Sequence, residues 1–102
     1  MFSHVMLGAD DIDTSKAFYD AVIGALGGEP GRIDPKGRVI YMHNGGIFLL
    51  TKPTDGKPAS CGNGSTIGFA ASSPEQADAW HKAGLDHGGT AIEDPPGIRE
   101  GA

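Results

Sequence analysis

Short apolar runs separated by turn residues organise the first half of the chain. Residues 3–9 form a β-like run that ends in a cluster of aspartates, which predicts a strand followed by a helix. Across residues 16–26 the apolar side chains recur at spacings of one, three and four, which is the pattern of one helical face. Asp13, Thr14 or Ser15 is the expected N-cap of that helix.

A hairpin is predicted at Asn44-Gly45, because this pair stands between two β-rich runs and favours a two-residue turn. A three-residue loop is the alternative. The choice matters for Tyr41, because a one-residue slip exchanges the two faces of a strand. The two-residue turn places Tyr41 with Phe48, whereas the longer loop places it with Leu49. The sequence leaves both registers open.

The second half of the chain repeats the pattern of the first half at a fixed shift of 62 positions. Residues 54–64 have the composition of a loop, residues 65–71 are again β-like, and Ser73-Pro74 opens a second helix. Residues 90–93 are a candidate for a further short strand. The shift places Phe18 on Trp80 and Gly27 on Gly89, among other pairs, so we interpret the chain as two related units.

Composition and charge exclude several classes of protein. The 17 glycines and 7 prolines lie between compact apolar runs, so they indicate turns and not disorder. A net charge of −5 with scattered basic residues argues against a nucleic-acid partner. No apolar stretch is long enough to cross a membrane, and the single cysteine, Cys61, cannot form an internal disulfide. We expect a cytoplasmic protein.

Three segments together carry a resemblance to a known family: SHVML in the first strand, FYDAVIGALG in the first helix, and the GNG loop before the second unit. This combination resembles the vicinal oxygen chelate superfamily, which includes glyoxalase I, bleomycin-resistance proteins, extradiol dioxygenases and fosfomycin-resistance enzymes. The resemblance covers essentially all 102 residues.

The resemblance implies an α+β fold in which paired βαβββ modules form a curved mixed sheet around a cavity. On this interpretation residues 1–102 are one domain, with a first module at 1–53, a linker loop at 54–64 and a second module at 65–102. The second module is expected to be incomplete at its C-terminus, because a full repeat needs roughly 20 more residues.

Strand alternation predicts which side chains line the cavity. Val5 and Leu7 correspond to Ile67 and Phe69 in the repeat and are expected to face the helices. The remaining positions of the two strands then face the concave side. With candidates from the hairpin, the predicted ligand-binding set is His4, Met6, Tyr41, Leu49, Thr66 and Gly68. His4 is the candidate general base or hydrogen-bonding anchor.

The resemblance also implies positions for metal ligands, at the first and last strands of each module. His4 fits this pattern, whereas Thr66 stands where a histidine is usual and Leu49 or a neighbour stands where a carboxylate or imidazole is needed. The segment that carries the fourth ligand does not occur in this sequence. We therefore expect no cofactor, and a divalent metal would rest on His4 alone among the expected ligands.

Three functions fit these observations. The first is a small-molecule-binding or weakly catalytic protein that uses its cavity without the family's full metal site. The second is a metal-dependent lyase, dioxygenase or transferase whose other ligands lie beyond Ala102 or come from a partner chain. The third is a non-catalytic resistance protein that sequesters its ligand. In each case a homodimer is expected, because open strand edges and an uncovered apolar face favour a partner.

Overall fold

A computed structural model describes residues 1–98, and within them the chain forms one mixed sheet and two helices. The strands are β1 (Val5–Gly8), β2 (Arg32–Ile33), β3 (Val39–His43) and β4 (Gly46–Thr51), and the helices are α1 (Ile12–Ala25) and α2 (Pro74–Asp86). The strand order is β1-β4-β3-β2, with β1 parallel to β4 and the other pairs antiparallel. The expected α+β fold is confirmed.

Helix α1 begins earlier than its apolar spacing predicted. Its N-cap is Asp11, whose Oδ1 accepts a hydrogen bond from the Thr14 backbone N–H at 3.1 Å. The prediction of a cap at positions 13–15 was therefore wrong, because a carboxylate three residues before Thr14 already satisfies a free N–H group of the first turn. The hydrogen bonds from Thr14 lower the pKa of Asp11.

The hairpin contains the two-residue turn. Asn44 and Gly45 both have positive φ angles, of 48° and 80°, as the type I′ turn requires. His43 pairs with Gly46, and Tyr41 pairs with Phe48. The register that the sequence left open is thus fixed, and Tyr41 lies on the same face of the sheet as Phe48.

The core lies between the sheet and the two helices. Its buried members come from α1, β3 and β4: Val22, Ile23, Val39, Tyr41, Phe48 and Leu50. Phe69 extends this core towards α2, because its ring lies 5.5 Å from Phe48 and 6.3 Å from Trp80. One face of the sheet is therefore covered by helices and aromatic side chains.

Helix α2 begins as predicted, with Ser73 as N-cap and Pro74 in its first turn. The predicted strands at 65–71 and 90–93 are not strands in this structure. Within residues 1–98 no strand pairs with either segment, and the Phe69 side chain packs against the core. The last part of the expected second module, residues 99–102, lies outside the described residues.

Candidate functional site

The face of the sheet opposite the helices carries two of the predicted ligand-binding residues. We call this surface the open face and define it by Met6, Ile40, Met42, Ile47 and Leu49. The register places Met6 and Ile40 on either side of Leu49. Met6, Met42 and Ile47 leave 41%, 59% and 37% of their surface exposed, whereas Leu49 in the central strand leaves 8%. The open face is therefore apolar and accessible.

A cavity adjoins the open face at the ends of the parallel strands β1 and β4. Its volume is about 370 Å³, and it lies between Met6, Gly8 and Thr51 on one side and the loop at 53–60 on the other. The loop is held against the sheet because the Ala59 N–H donates a hydrogen bond to Asp10 Oδ1 at 2.7 Å. This cavity combines an apolar floor with hydroxyl and carboxylate groups.

His4 directly precedes β1 and is exposed. Its Nδ1 lies 2.8 Å from the Ser3 hydroxyl oxygen, and this short contact is a hydrogen bond between neighbouring side chains. The ring is therefore partly oriented and accessible from solvent. Its role as base or anchor stays a prediction.

Two of the predicted residues lie in the segment that follows the loop. Thr66 is exposed, and its side chain makes no hydrogen bond within residues 1–98. Gly68 borders a cleft that Val5 and Phe48 also line, and those side chains face the helices. The structure therefore does not bring Gly68 to the open face beside Met6. A role of Thr66 in ligand binding stays a prediction.

Tyr41 lies on the helix side of the sheet and only 3% of its surface is exposed. Its hydroxyl donates to Asp20 Oδ1, at 2.8 Å, and lies 3.2 Å from the Lys16 carbonyl oxygen. Burial and the neighbouring Asp20 carboxylate raise the pKa of Tyr41. The structure corrects its expected place on the concave side, because the two-residue turn directs Tyr41 into the core.

Asp20 is the centre of a hydrogen-bonding cluster that the sequence analysis missed. Its carboxylate accepts from the Gly31 backbone N–H at 2.9 Å, from Tyr41, and from Lys16 Nζ at 2.7 Å. Desolvation acts to raise the pKa of Asp20, but the three hydrogen bonds outweigh it and hold the pKa below its ordinary value. The cluster joins α1 to β3 and to the segment before β2. The spacing of Lys16 and Asp20, four residues apart on one helix, was the available signal.

Metal-binding side chains are not clustered in the part of the chain that the structure describes. Within residues 1–98 there is no group of three or more histidine, cysteine, aspartate or glutamate side chains placed to hold an ion. A catalytic zinc site commonly uses about three protein ligands. No step of a reaction is therefore assigned to a metal held by this chain alone.

Comparison with known proteins identifies the family. The model of the Glyoxalase/Bleomycin resistance protein/Dioxygenase superfamily matches residues 1–100. The chain belongs to this superfamily. The search of curated proteins found no match. Within residues 1–98 no helix is long and apolar enough to span a membrane.

Two solved structures resemble this superfamily member. A glyoxalase/bleomycin resistance protein from Albidiferax ferrireducens T118 is 54% identical, with a TM-score of 0.93 over 99% of this chain and 81% of that chain. A hypothetical protein from S. aureus is 19% identical, with a TM-score of 0.72 over 99% of this chain and 79% of that chain. The second likeness concerns the fold alone.

Proposed function

We propose that this superfamily member binds a small organic molecule on the open face and in the adjoining loop cavity. His4, Met6 and Leu49 are the proposed contact residues. The observation that carries the proposal is the exposed apolar surface of Met6, Met42 and Ile47, because contiguous patches of this kind commonly mark binding surfaces. The proposed ligand has an apolar body and a few polar groups, which suits a cavity that also contains Thr51.

The proposed mode of action is binding without the family's full metal site, with His4 as the titratable group. A second candidate is sequestration of a toxic compound without turnover. It is favoured by the name of the 54% identical relative, a glyoxalase/bleomycin resistance protein. A metal-dependent lyase, dioxygenase or transferase with ligands from elsewhere remains an outcome that the experiments below distinguish.

We further propose that two copies of the chain complete the site. Strand β1 pairs only with β4 among the described residues, so its other edge is free to meet a second chain. Burial of the apolar open face beside this edge against a second chain would also stabilise a dimer. The exposed free thiol of Cys61 suits a reducing compartment, which supports a cytoplasmic location.

The three methionines provide a direct test of ligand binding. Met6 and Met42 lie on the open face, whereas Met1 is fully exposed at the N-terminus and serves as an internal control. Protein labelled with ¹³C at the methionine methyl groups is titrated with 8-anilino-1-naphthalenesulfonate, an apolar fluorescent probe with one sulfonate. We expect saturable shifts at Met6 and Met42. Saturable shifts confined to Met1, or none at all, would contradict the proposal.

Metal titration separates the proposal from its metal-dependent alternative. Nickel, zinc and ferrous iron are added in turn and binding is followed by calorimetry, with a chelator added at the end. The proposal expects no stoichiometric, chelator-reversible binding. Tight binding that His4→Ala abolishes would establish the metal-dependent alternative instead.

Light scattering tests the homodimer. We expect a dimer at micromolar concentration that Met42→Glu converts to a monomer, because the substitution places a charge in an apolar contact. Ile33→Glu is the matched control, since Ile33 is equally exposed, at 58%, but pairs with Val39 on the helix side. This part of the proposal would be contradicted by a monomeric wild-type chain, or by two variants that change the oligomeric state equally.

A further inference from the structure

A cleft lies on the helix side of the sheet, and it shares only Ile47 with the open face. Its volume is about 280 Å³, and it lies between the end of α1, the strands at their hairpin end and the segment at 67–70. An apolar cavity of about 150 Å³ in a protein interior is large enough for benzene. The cleft therefore has room for a molecule with a single ring.

The walls of the cleft are mainly apolar and, within residues 1–98, contain no acidic or basic residue apart from His43. Ile23 and Leu26 line it from α1 and the residue that ends it, Val5 and Phe48 line it from the sheet, and Ile67 lines it from the facing segment. No Asp, Glu, Lys or Arg is among its lining residues in the part of the chain that the structure describes. Such walls select against a charged occupant, because the cost of desolvating a charge would not be recovered.

The polar residues that line the cleft are Tyr41, His43 and Asn44, and the Tyr41 hydroxyl is already bonded to Asp20. Within residues 1–98 the Nε2 atom of His43 is buried and has no hydrogen-bond partner. The ring is held beside Gly28, where an added Cβ would lie 3.5 Å from His43 Cγ. The exposed turn of Asn44 and Gly45 follows His43. Because Nε2 is buried, pairing with an occupant requires the imidazole ring to turn towards the cleft. Buried polar atoms in proteins are nearly always paired, so this nitrogen requires an explanation.

We propose that this cleft binds a small uncharged aromatic molecule whose single hydroxyl group pairs with His43 Nε2. The ring of the ligand packs between Phe48, Ile23 and Ile67, and the hydroxyl occupies the side at which the imidazole lies. A hydroxyl suits either tautomer of the ring, because it both donates and accepts. This binding site shares only Ile47 with the open face and does not use His4.

The experiment compares two probes, phenol and toluene, which differ in the hydroxyl group. Each is titrated into protein with ¹³C-labelled Ile, Leu and Val methyl groups. Both probes are expected to give saturable shifts at Ile23, Leu26 and Ile67, with little change at Ile40 and Leu49 on the open face. Shifts at the open face alone would overturn this proposal and leave the proposed function standing. Shifts at the cleft alone would support this proposal, and the proposed function is still judged by its own test at Met6 and Met42.

His43→Phe tests the hydrogen bond while it keeps a ring of similar shape. We expect the ratio of phenol affinity to toluene affinity to fall by roughly threefold to tenfold, the effect of one hydrogen bond. An unchanged ratio would show that His43 does not recognise the hydroxyl.

Ile67→Trp tests the location of the site by filling the cleft. It should abolish the cleft shifts for both probes. Ile33→Trp, the same change at an exposed position on β2, should leave them intact. Binding that survives Ile67→Trp in a folded protein would overturn the proposal. If Ile67→Trp does not fold, the ratio of phenol affinity to toluene affinity in His43→Phe decides.

Discussion

The two halves of the chain carry similar helices that pack to very different depths. Helix α1 buries Val22 and Ile23, whereas α2 has no buried residue. The positions of the two helices correspond at the same shift of 62, from the N-caps Asp11 and Ser73 onwards. The apolar stripe of a helix therefore predicts which side faces the protein, but the depth of burial depends on the layer that receives it.

The strands explain this difference. Residues 5–8 of β1 pair with residues 48–51 of β4, so α1 packs on a continuous sheet. The matching segment at 65–71 has no strand beside it within the described residues, and Phe69 meets the core only through its ring. A sheet gives a helix a broad apolar surface, whereas a single extended segment gives it a few contacts.

The largest expected effect comes from a matched pair of core truncations, Ile23→Ala and Leu85→Ala. Ile23 is 3% exposed and Leu85, its counterpart in the repeat, is 46% exposed. Removing a buried side chain leaves a cavity, so Ile23→Ala should lower the free energy of unfolding by about 2–4 kcal/mol. Leu85→Ala should cost about 0.5 kcal/mol, as surface changes do. Urea denaturation measures both.

This first pair also tests the depth of packing in α2 directly. If Leu85→Ala cost as much as Ile23→Ala, then α2 would be buried in solution against a surface that the described residues do not provide. The proposed difference in burial between α1 and α2 would then be wrong.

A smaller effect is expected from two ion pairs that join residues four apart on each helix. Asp20 pairs with Lys16 and also accepts hydrogen bonds from Tyr41 and the Gly31 N–H, whereas Asp86 pairs with Lys82 in an exposed position. Asp20→Ala leaves buried donors without partners and should cost about 1–3 kcal/mol. Asp86→Ala should produce no measurable change, as is common for exposed pairs.

The pH dependence of unfolding sharpens this prediction. The pKa of Asp20 is lowered in the folded state from its ordinary value of 3.8, so its hydrogen bonds stabilise the fold fully above that value. The stabilisation is lost as the pH falls through the lower, folded-state pKa. Asp20→Asn keeps an acceptor oxygen but cannot titrate. It should therefore reduce the change in the free energy of unfolding with pH in this acidic range. If Asp20→Asn left the pH dependence of the free energy of unfolding unchanged under acidic conditions, the proposed role of Asp20 would be contradicted.

The smallest expected effect concerns the two N-caps. Ser73→Ala should lower the free energy of unfolding by about 1 kcal/mol at every pH, because its hydroxyl does not titrate in this range. Asp11→Ala should destabilise the protein near neutral pH and progressively less under acidic conditions, because the lowered pKa of Asp11 reports a stabilised carboxylate. The two variants are compared by their midpoints of urea denaturation, measured at about pH 7 and at about pH 3. A pH-independent loss at Asp11 would count against its role as a charged cap.

Local residues made much of the fold predictable. Ser73 with Pro74 predicted the start of α2, and Asn44-Gly45 predicted the hairpin, because both signals act over a few neighbouring residues. The cap of α1 was misplaced because several polar residues near Asp11 have the chemistry of a cap. Backbone hydrogen bonding, and not apolar spacing, selected among them.

The candidate site was less predictable. Strand alternation correctly grouped Met6 apart from Val5 and Leu7, but it offered two faces for Tyr41 until the turn was known. In the cluster around Asp20, Tyr41 contacts residues 21 and 25 positions away, and no local pattern indicates such contacts.

Sequence alone was enough to predict the two helices and the hairpin, because periodicity and turn chemistry depend on neighbouring residues, and the resemblance of three segments indicated the family. Tertiary structure decided what each face became: Tyr41 entered the core, Met42 remained exposed, and His43 Nε2 was left without a partner within residues 1–98. Burial and hydrogen-bond satisfaction depend on which distant segments meet. These same contacts distinguish the open face from the cleft beside His43, which have only Ile47 in common.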